Sequence, residues 1–513
     1  MSAPARTDRT SPANAAWVQN ADAIARVDEA AVIDVGSNSV RLVVYRIDGR
    51  AMTPVLNEKV MAGLGRELIT TGKLAPAGVA AALQALRRYR TLIGAMGVAH
   101  VDAVATAAVR EAIDGADFVR RAERETGVRL RVIAGEEEAR LSALGVLAGE
   151  PEAMGIVGDL GGSSLELVRV DPKGPGAGET FPLGPFALMG EGSDSDHIAA
   201  IADEALSHSQ VLPARGETFY AVGGAWRALG RIDIALRDHP IHVLHHHEMS
   251  RANALRVAEF IRKQSRRSLE KLEDAAAKRA DALPYAAVVL ERVLKRGGFA
   301  RVILSSYGLR EGLLYEHLSQ RSRSAHPLIA AAEAFGAPSE RARAFGAALE
   351  KWIRPVFSKQ PAAFSEERDN LLRGAAARLA DLGGALHPDQ RSELMYDMVL
   401  RAPFAAIAHP ERAFLAAAVH HRYAKGAPQS PAYLKLLNED QRVAAAALGY
   451  ALRLGADLSG RSRALLQDFS LTIERNVLTL AVKPQRAHLI TDQTAKRIEP
   501  LAQALGIAFK IVR

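Results

Sequence analysis

The chain has 513 residues, of which 48% are hydrophobic and none is cysteine. This length exceeds what one ordinary hydrophobic core supports, and the lack of cysteine excludes disulfides and thiolate metal sites. No segment approaches the ~18 consecutive apolar residues of a membrane-spanning helix. We therefore expect a soluble cytoplasmic protein of several domains with no membrane partner.

Charge is distributed unevenly along the chain. The formal net charge is +8, and counting Lys and Arg against Asp and Glu gives +1 for residues 1–325 and +7 for residues 326–513. A basic region raises the local concentration of anions such as nucleic acid, anionic lipid or a phosphate polymer. The alternative is a solvated surface that only keeps the protein in solution.

The first predicted elements form an α/β domain over residues 29–150. Residues 1–28 contain Pro, Thr, Asn and charged residues but no apolar segment typical of a signal peptide, so they predict a disordered extension. The stretch VIDVGSNSVRLVVYRID, residues 32–48, predicts a hairpin with a tight polar turn. The segments that follow predict a third strand (AMTPVLNEKVMA), a helix (PAGVAAALQALRRYRTLIGAMG), a strand that enters a helix (HVDAVATAAVREA), and a strand that turns into a helix (RLRVIAGEEEARLSALGVLAG).

A second α/β domain, residues 151–325, repeats this order at greater length. Its hairpin is VGDLGGSSLELVRVD, residues 157–171, and KGPGAG, residues 173–178, predicts a surface loop. FARVILSSYGLREGLLYEHL closes the domain as a strand, a polar turn and a helix. Helical periodicity is found near residues 196–211, 223–236, 249–264 and 284–297.

The pattern changes near residue 325. RSRSAHP is typical of a linker, and residues 326–466 are Ala-rich and predict a helical domain. Residues 467–513 predict a small α/β element at the end of the chain.

The two hairpins resemble each other. When Asp34 is aligned with Asp159, the glycine two residues later and the serine five residues later also agree, which implies an internal duplication. In such a turn, glycine lets backbone N–H groups point into one concavity, Ser and Asn side chains add neutral donors, and Asp can hold a divalent cation. Two such turns on opposite sides of a cleft would grip a phosphate group.

Four stretches, DVGSNSVRL, ATAAVREA, IAGEEEARL and DLGGSSLEL, resemble the exopolyphosphatase and guanosine pentaphosphate phosphohydrolase family, as do AVGGAWRAL and SSYGLREGLL. That family belongs to the superfamily of actin, the 70-kDa heat-shock proteins and the sugar kinases. The resemblance covers residues 29–325 and, more loosely, the helical remainder. It implies an α/β fold with a duplicated actin-like (ribonuclease H-like) two-domain core, a mainly helical HD-like C-terminal domain and a small terminal α/β segment.

The resemblance also implies an activity. The first expectation is an exopolyphosphatase, a phosphoanhydride hydrolase that processively removes terminal phosphate from inorganic polyphosphate by Mg²⁺-assisted attack of water. K⁺ is a candidate monovalent ion, a homodimer is implied, and no specific nucleic-acid partner is expected. The closest alternative is hydrolysis of guanosine pentaphosphate (pppGpp) to the tetraphosphate (ppGpp). Two other classes stay open, a kinase of the superfamily with AVGGAWRAL lining an adenine site and a catalytically silent sensor of phosphate polymers.

By the same resemblance, individual residues receive roles. Glu138 matches the base that activates water, Arg110 matches the arginine that faces the phosphate chain, and Asp159 matches the acidic residue associated with Mg²⁺. Glu138 and Glu166 are further candidate metal ligands. The substrate-binding residues are those of the two turns, namely Asp34, Gly36, Ser37, Asn38 and Ser39 in the first and Gly161, Gly162, Ser163 and Ser164 in the second.

The second turn departs from the usual family pattern DIGGGSTEL. Ser163 replaces a glycine, and Leu165 replaces a threonine. Ser163 can still offer its backbone N–H if the turn accommodates a Cβ. We therefore expect the departure to affect the details of substrate grip more than the activity itself.

The residues around Glu138 can be interpreted without the family. A position at the start of a helix lowers the pKa of Glu138 through the helix dipole, whereas the neighbouring Glu136 and Glu137 raise it. Polarising a water molecule requires an ionised carboxylate, so Glu138 is expected to be ionised at neutral pH. The alternative is a solvated acidic first turn that only stabilises its helix.

Histidines are concentrated in the stretch IHVLHHHEMS, which holds His242, His245, His246 and His247 beside Glu248. A metal cluster is conceivable there. Consecutive residues rarely converge on one ion, so a loop is the preferred interpretation.

In the helical region, LADLGGALH and VHHRY resemble the metal phosphohydrolase fold with a His-Asp pair that the family carries as an appended domain. Ala380 stands before Asp381, where that fold has its histidine. The helical domain is therefore expected to be a scaffold without its own catalytic metal.

Overall fold

A computed structural model describes residues 27–192, 194–271, 279–337 and 339–513. The predicted N-terminal extension lies, except for its last two residues, outside the described residues. Among the described helices, none has both the length and the apolar content needed to cross a membrane.

The first α/β unit is a twisted sheet with helices. Its strands have the order β3-β2-β1-β4-β5, in which β1, β2 and β3 are antiparallel neighbours and β1, β4 and β5 are parallel. The strands are β1 (Val27–Val35), β2 (Val40–Asp48), β3 (Ala51–Val60), β4 (His100–Ala105) and β5 (Arg131–Val132). The helices are α1 (Leu68–Thr71), α2 (Pro76–Met96), α3 (Ala107–Glu111), α4 (Gly115–Thr126) and α5 (Gly135–Gly149).

The second α/β unit repeats this topology. Its strands are β6 (Gly155–Leu160), β7 (Leu165–Asp171), β8 (Gly174–Phe181), β9 (Thr218–Val222), β10 (His247–Ser250) and β11 (Arg301–Leu304). Its helices are α6 (Pro185–Met189), α7 (Ser195–Ser207), α8 (Gly224–Leu236), α9 (Arg251–Arg262), α10 (Arg266–Leu269), α11 (Leu283–Gly297) and α12 (Leu309–His317). The sheet order is β10-β11-β9-β6-β7-β8, and its run β8-β7-β6-β9-β11 matches the order of the first sheet. The predicted duplication is therefore confirmed.

The segment KGPGAG is not a surface loop, so that prediction is wrong. Residues 174–178 of this segment belong to β8, which pairs antiparallel with β7 and occupies the same place in its sheet as β3 does in the first. Pro175 lies opposite Val170 in this ladder. Proline and glycine are tolerated here because β8 is an edge strand and only one of its sides must supply ladder hydrogen bonds.

The C-terminal region is mainly helical and ends in a small sheet, as predicted. Its helices are α13 (Gln320–Ser324), α14 (Pro327–Gly336), α15 (Glu340–Phe357), α16 (Glu366–Leu379), α17 (Arg391–Arg401), α18 (His409–His421), α19 (Pro431–Leu436), α20 (Glu439–Ser459), α21 (Arg463–Leu466) and α22 (Asp492–Ala504). Short 3₁₀ helices span Leu382–Ala385, Pro388–Gln390 and Pro484–Leu489. The terminal strands β12 (Phe469–Glu474), β13 (Val477–Val482) and β14 (Ala508–Val512) have the order β12-β13-β14. One hydrophobic core joins the helices to this sheet.

Helix α5 lies between the two large sheets and positions the site. Leu141 and Ala148 pack in a core with the first sheet, whereas Ala139 and Val146 pack in a core with the second. A helix buried on both sides in this way is apolar around most of its circumference. The acidic first turn of α5 is therefore held at the boundary between the two α/β units.

Candidate active site

The two hairpin turns have the same backbone closure. The N–H of Gly36 donates to the carbonyl of Ser39 at 3.0 Å, and the N–H of Gly161 donates to the carbonyl of Ser164 at 2.9 Å. At both glycines a Cβ would lie close to the serine carbonyl oxygen, at 3.5 Å in the first turn and 3.4 Å in the second. The duplication therefore extends to the hydrogen bonds of the turns.

The turns contact each other through Ser37 and Ser163, which are both buried. Ser163 Oγ donates to Ser37 Oγ at 2.9 Å. The two turns also approach closely at Gly162, because a Cβ at this position would lie only 2.9 Å from the Cβ of Ser37. Ser163 is not one of the described non-glycine residues with a positive φ. Its backbone conformation is therefore one that accommodates a Cβ. The serine that departs from the family pattern therefore links the two halves of the duplication.

A cleft lies between the turns, and most of the predicted site residues line it. Three predicted residues do not line the cleft but contact residues that do. Arg110 bonds to Glu138, Ser163 bonds to Ser37, and Glu166 is the cross-strand neighbour of Asp159. The predicted residues in the lining are Asp34, Gly36, Ser37, Asn38, Ser39, Glu138, Asp159, Gly161, Gly162 and Ser164.

Glu138 is a buried carboxylate in the first turn of α5. Arg110 Nη1 donates to Glu138 Oε2 at 3.1 Å and also to the carbonyl of Ile133 at 3.0 Å. Burial raises the pKa of Glu138 to about 7, although the Arg110 guanidinium lowers it. Asp159 and Asp34 raise it further. A carboxyl group with this pKa is half-protonated near neutral pH.

Two expectations about Glu138 therefore need correction. The carboxylates that raise its pKa are Asp159 and Asp34 across the cleft, rather than Glu136 and Glu137. Glu136 is exposed to solvent and Glu137 forms an ion pair with Arg131, so both are directed away from the buried carboxylate. Complete ionisation at neutral pH was expected because the sequence does not reveal burial, which is the largest contribution to the pKa.

Asp159 and Glu166 are cross-strand neighbours on β6 and β7. Ser142 Oγ donates to Asp159 Oδ2. Glu166 is 1% exposed, and its buried Oε1 has no hydrogen-bond partner in the part of the chain that the structure describes. Burial raises the pKa of Glu166 well above its usual value, and Glu138 and Asp159 raise it further. Buried carboxylates with an unpartnered oxygen fit a hard divalent cation such as Mg²⁺, which prefers oxygen ligands.

Asp34 of the first turn is paired with an arginine from the other unit. Arg310 Nη1 donates to Asp34 Oδ2 at 2.9 Å, and Arg310 lies at the start of α12, in the stretch SSYGLREGLL. This ion pair joins the two walls of the cleft. It also shows that Asp34 is partly neutralised by a cation of the protein itself.

Among the described residues, five cationic side chains line the cleft, and none of them was predicted as a site residue. They are Arg41, Lys59, Arg227, Arg279 and Arg310. Burial lowers the pKa of Lys59 to about 7, and the arginines Arg279, Arg41, Arg227 and Arg310 lower it further. Like charges this close repel one another, so the cluster is suited to an anion with several charges.

Sequence signals for these cations existed. Three of the cations belong to stretches that resemble the family. Arg41 lies in DVGSNSVRL, Arg227 in AVGGAWRAL and Arg310 in SSYGLREGLL. Lys59 lies opposite Arg41 in the ladder between β2 and β3. The strand register that brings it to the cleft is a tertiary feature.

The stretch AVGGAWRAL does not present an open apolar slot. Trp226 is buried in the core, where its Nε1 donates to the carbonyl of Ala286 at 3.0 Å. The guanidinium of Arg279 lies against Gly224, because a Cβ there would be 2.3 Å from Arg279 Nη2. This part of the cleft therefore offers a cation where a kinase would hold adenine.

The four histidines of IHVLHHHEMS do not share one partner, because His247 faces Asp233 instead of Glu150. His245 and His246 both face Glu150, at 3.9 Å and 2.5 Å, whereas His242 is exposed. Residues 241–246 have no regular secondary structure, as predicted for a loop, but the loop prediction is wrong for residues 247–250, which form β10 and pair antiparallel with β11.

The region that resembles a metal phosphohydrolase contains a second cavity. Asp381 accepts from Arg461 Nη1 at 2.7 Å, so the carboxylate beside Ala380 is ion-paired. The cavity is rich in arginine, and its lining includes Arg391, Arg422, Arg453, Arg461 and Arg497 together with Asp381 and Asp457. Part of the net positive charge of residues 326–513 is therefore concentrated around this cavity.

Comparison with known proteins agrees with these features. The sequence profile of the Ppx/GppA phosphatase family matches residues 43–321, and the profile described as exopolyphosphatase, C-terminal, matches residues 328–512. Exopolyphosphatase 1 of Mycobacterium tuberculosis is 28% identical over 309 residues, covering 57% of this chain and 88% of that protein. Exopolyphosphatase 1 of Mycobacterium leprae is 29% identical over 311 residues, covering 57% and 90%. A solved exopolyphosphatase structure from Cytophaga hutchinsonii aligns with a TM-score of 0.52 and 24% identity, covering 56% of this chain and 97% of that chain, which supports the actin-like fold.

Proposed function

Because this chain belongs to the Ppx/GppA phosphatase family, we propose that it is an exopolyphosphatase that processively hydrolyses the terminal phosphate of inorganic polyphosphate. The observation that carries the proposal is the cluster of five cations along the cleft. Polyphosphate bears about one negative charge per phosphate, so several consecutive phosphates can each meet a cation. The relatives named exopolyphosphatase agree with this substrate class.

Within the proposal, the two turns hold the terminal phosphate. The turn residues that line the cleft and have free donors, 37–39, 162 and 164, would surround it with backbone N–H groups and hydroxyls, and the arginines would balance its charge. Phosphoryl transfer requires mainly positioning and charge stabilisation, which such a cleft supplies.

Glu138 would accept the proton of the attacking water. Its pKa of about 7 is close to the operating pH, which is favourable for a general base. Arg110 would hold the carboxylate in place through its bond to Oε2, which is 3.1 Å long. The role of Arg110 in this proposal is therefore to position Glu138, and direct contact with the phosphate chain stays a prediction.

Mg²⁺ is part of the proposal, with Glu138, Asp159 and Glu166 as the residues that would hold it. When bound, it would neutralise charge on the phosphate group and on these carboxylates. The unpartnered Oε1 of Glu166 supports this assignment. A requirement for K⁺, a homodimer and a cytoplasmic location are further parts of the proposal, to be tested by ion dependence, by light scattering of the full chain and by cell fractionation.

Phosphate release from polyphosphate and from pppGpp, measured side by side with Mg²⁺ and with EDTA, tests the proposal. We expect a higher kcat/KM per chain end for polyphosphate and loss of release in EDTA. A preference for pppGpp would identify the alternative activity. Binding of polyphosphate without hydrolysis would identify a sensor, and transfer of phosphate from ATP to an alcohol would identify a kinase.

A further inference from the structure

Three histidines that are distant in the sequence meet where the second α/β unit contacts the helical region. His239 follows α8, His247 begins β10 and His409 begins α18. One ring nitrogen of each lies within 4.8 Å of one ring nitrogen of the other two. Their ring centroids are 4.9 Å apart for His239 and His409, 5.2 Å for His239 and His247, and 5.6 Å for His247 and His409.

Two of these rings have buried nitrogens without a partner. His247 is 1% exposed and His409 is 5% exposed, yet His247 Nδ1 and His409 Nε2 make no hydrogen bond within the described structure. Buried polar atoms in folded proteins are almost always hydrogen-bonded or bound to an ion or water. The unpartnered His247 Nδ1 therefore indicates a ligand that accepts its lone pair, whereas His409 Nε2 is the ring nitrogen that does not face His239.

A carboxylate fixes the orientation of His247. His247 Nε2 lies 2.8 Å from Asp233 Oδ2, and both side chains are buried. An N–H directed at a carboxylate leaves the other ring nitrogen, Nδ1, with the free lone pair. Metal-binding histidines commonly have such a carboxylate partner, which fixes the tautomer and makes the ring a better ligand.

The other two rings bond to each other. His239 Nε2 and His409 Nδ1 are 2.7 Å apart, so one ring donates a proton to the other. Tetrahedral zinc with Zn–N bonds of about 2.0–2.1 Å keeps its ligand nitrogens about 3.3 Å apart. A bound ion therefore requires the two rings to separate by only roughly half an ångström and replaces their hydrogen bond.

We propose that His239, His247 and His409 form a Zn²⁺ site that joins the second α/β unit to the helical C-terminal region. Three imidazoles suit zinc or a similar transition metal rather than Mg²⁺, which prefers oxygen. The fourth position is left to water. The site is separate from the catalytic carboxylates, and its consequence is to cross-link α8 and β10 to α18.

Metal binding can be measured directly on the untagged full chain, since a polyhistidine tag would bind the same ions. After removal of metals with a chelator, Co²⁺ is added. We expect one strong equivalent with the intense visible absorption of tetrahedral Co²⁺, which Zn²⁺ abolishes by displacement and Mg²⁺ does not. Binding of Co²⁺ only to the oxygen-rich catalytic cleft would give weak octahedral absorption, and that result would overturn the proposal.

Variants locate the site. His409→Gln and His239→Gln should each weaken Zn²⁺ binding by at least about tenfold. Loss of a residue that only hydrogen-bonds to a metal ligand already lowers metal affinity by about this factor, and loss of the ligand itself should lower it at least as much. They should also remove the rise in Tm that Zn²⁺ gives the wild type. The matched control is His197→Gln, at an exposed histidine of α7, which should leave both unchanged. Unchanged zinc affinity in both ligand variants would contradict the site.

One measurement needs no variant and covers the case in which the substitutions prevent folding. The X-ray absorption spectrum of the zinc-loaded wild type should show the scattering of three imidazole ligands. Fewer than three would show that the histidine cluster is not the zinc site.

Discussion

Ser163 Oγ donates to Ser37 Oγ at 2.9 Å, and this bond joins the turns of the two duplicated halves. Ser163→Ala removes the bond but keeps the Cβ, so we expect the free energy of unfolding to fall by about 1 kcal/mol. Ser163→Gly restores the glycine usual in the family and should lose a further ~0.5–1 kcal/mol through backbone entropy. Because Ser163 does not line the cleft, both variants should keep most of the turnover. Denaturant unfolding and kcat measure the two effects, and an unchanged stability of Ser163→Ala would show that the bond contributes nothing.

Glu138→Gln should abolish most of the activity without abolishing binding. The amide cannot accept a proton, and loss of a general base typically lowers kcat by ~10²–10⁴. At saturating Mg²⁺ the KM for polyphosphate should change little, since the arginines and Lys59 of the cleft remain. Glu137→Gln is the matched control, because it changes the same charge one residue away, where the side chain pairs with Arg131. If Glu138→Gln kept most of the wild-type kcat, Glu138 would not be the base.

The pH dependence of kcat/KM should be bell-shaped. Glu138, with its pKa raised to about 7, is active when deprotonated, so the rate falls as the pH drops through the acid side. Lys59, with its pKa lowered to about 7, binds phosphate when protonated, so the rate falls as the pH rises. Bound Mg²⁺ moves the acid limb to lower pH, because a nearby cation favours the ionised carboxylate.

Lys59→Arg separates the two limbs of this profile. Arginine stays charged throughout the range, so the alkaline limb should disappear while the acid limb remains. The measurement is kcat/KM for polyphosphate at fixed ionic strength from acid to alkaline pH. An alkaline limb that persists in this variant would assign it to another group.

Arg227→Ala should raise KM for polyphosphate by about 10- to 100-fold, as expected for loss of a charge-assisted hydrogen bond of about 1.5–3 kcal/mol. Arg231→Ala removes the same charge from an exposed position one turn further along α8 and is the control. Initial rates over a range of polyphosphate concentrations distinguish the two. Equal effects of both substitutions would indicate a general influence of net charge rather than contact in the cleft.

The arginine-rich cavity of the helical region tests whether the basic C-terminal third holds the polymer. Arg453→Ala should weaken binding of long polyphosphate and flatten its salt dependence, because fewer counterions are released, by analogy with nucleic acid. Short chains that do not reach beyond the catalytic cleft should be unaffected. Arg463→Ala, at an exposed position outside the cavity, is the control. An unchanged salt slope for long chains in Arg453→Ala would leave the basic surplus with a role in solubility alone.

The positions of the two turns, the helices and most strands could be predicted from the local sequence. The repeat of Asp, Gly and Ser at equal spacing predicted two equivalent turns, because a tight turn closed by one backbone hydrogen bond depends on a few adjacent residues. The same locality explains why helices and most strands were predicted correctly. The error at KGPGAG arose because an edge strand needs few ladder bonds and so tolerates proline and glycine.

The electrostatics of the site were decided only by the tertiary structure. The sequence placed Glu138 beside Glu136 and Glu137, but the fold buries it and brings Asp34 and Asp159 towards it, so its pKa is about 7. Lys59 reaches the cleft only because β3 pairs with β2 in one register. Burial and distance through space control both the pKa of a group and the charge that a ligand meets, and neither is a property of neighbours along the chain.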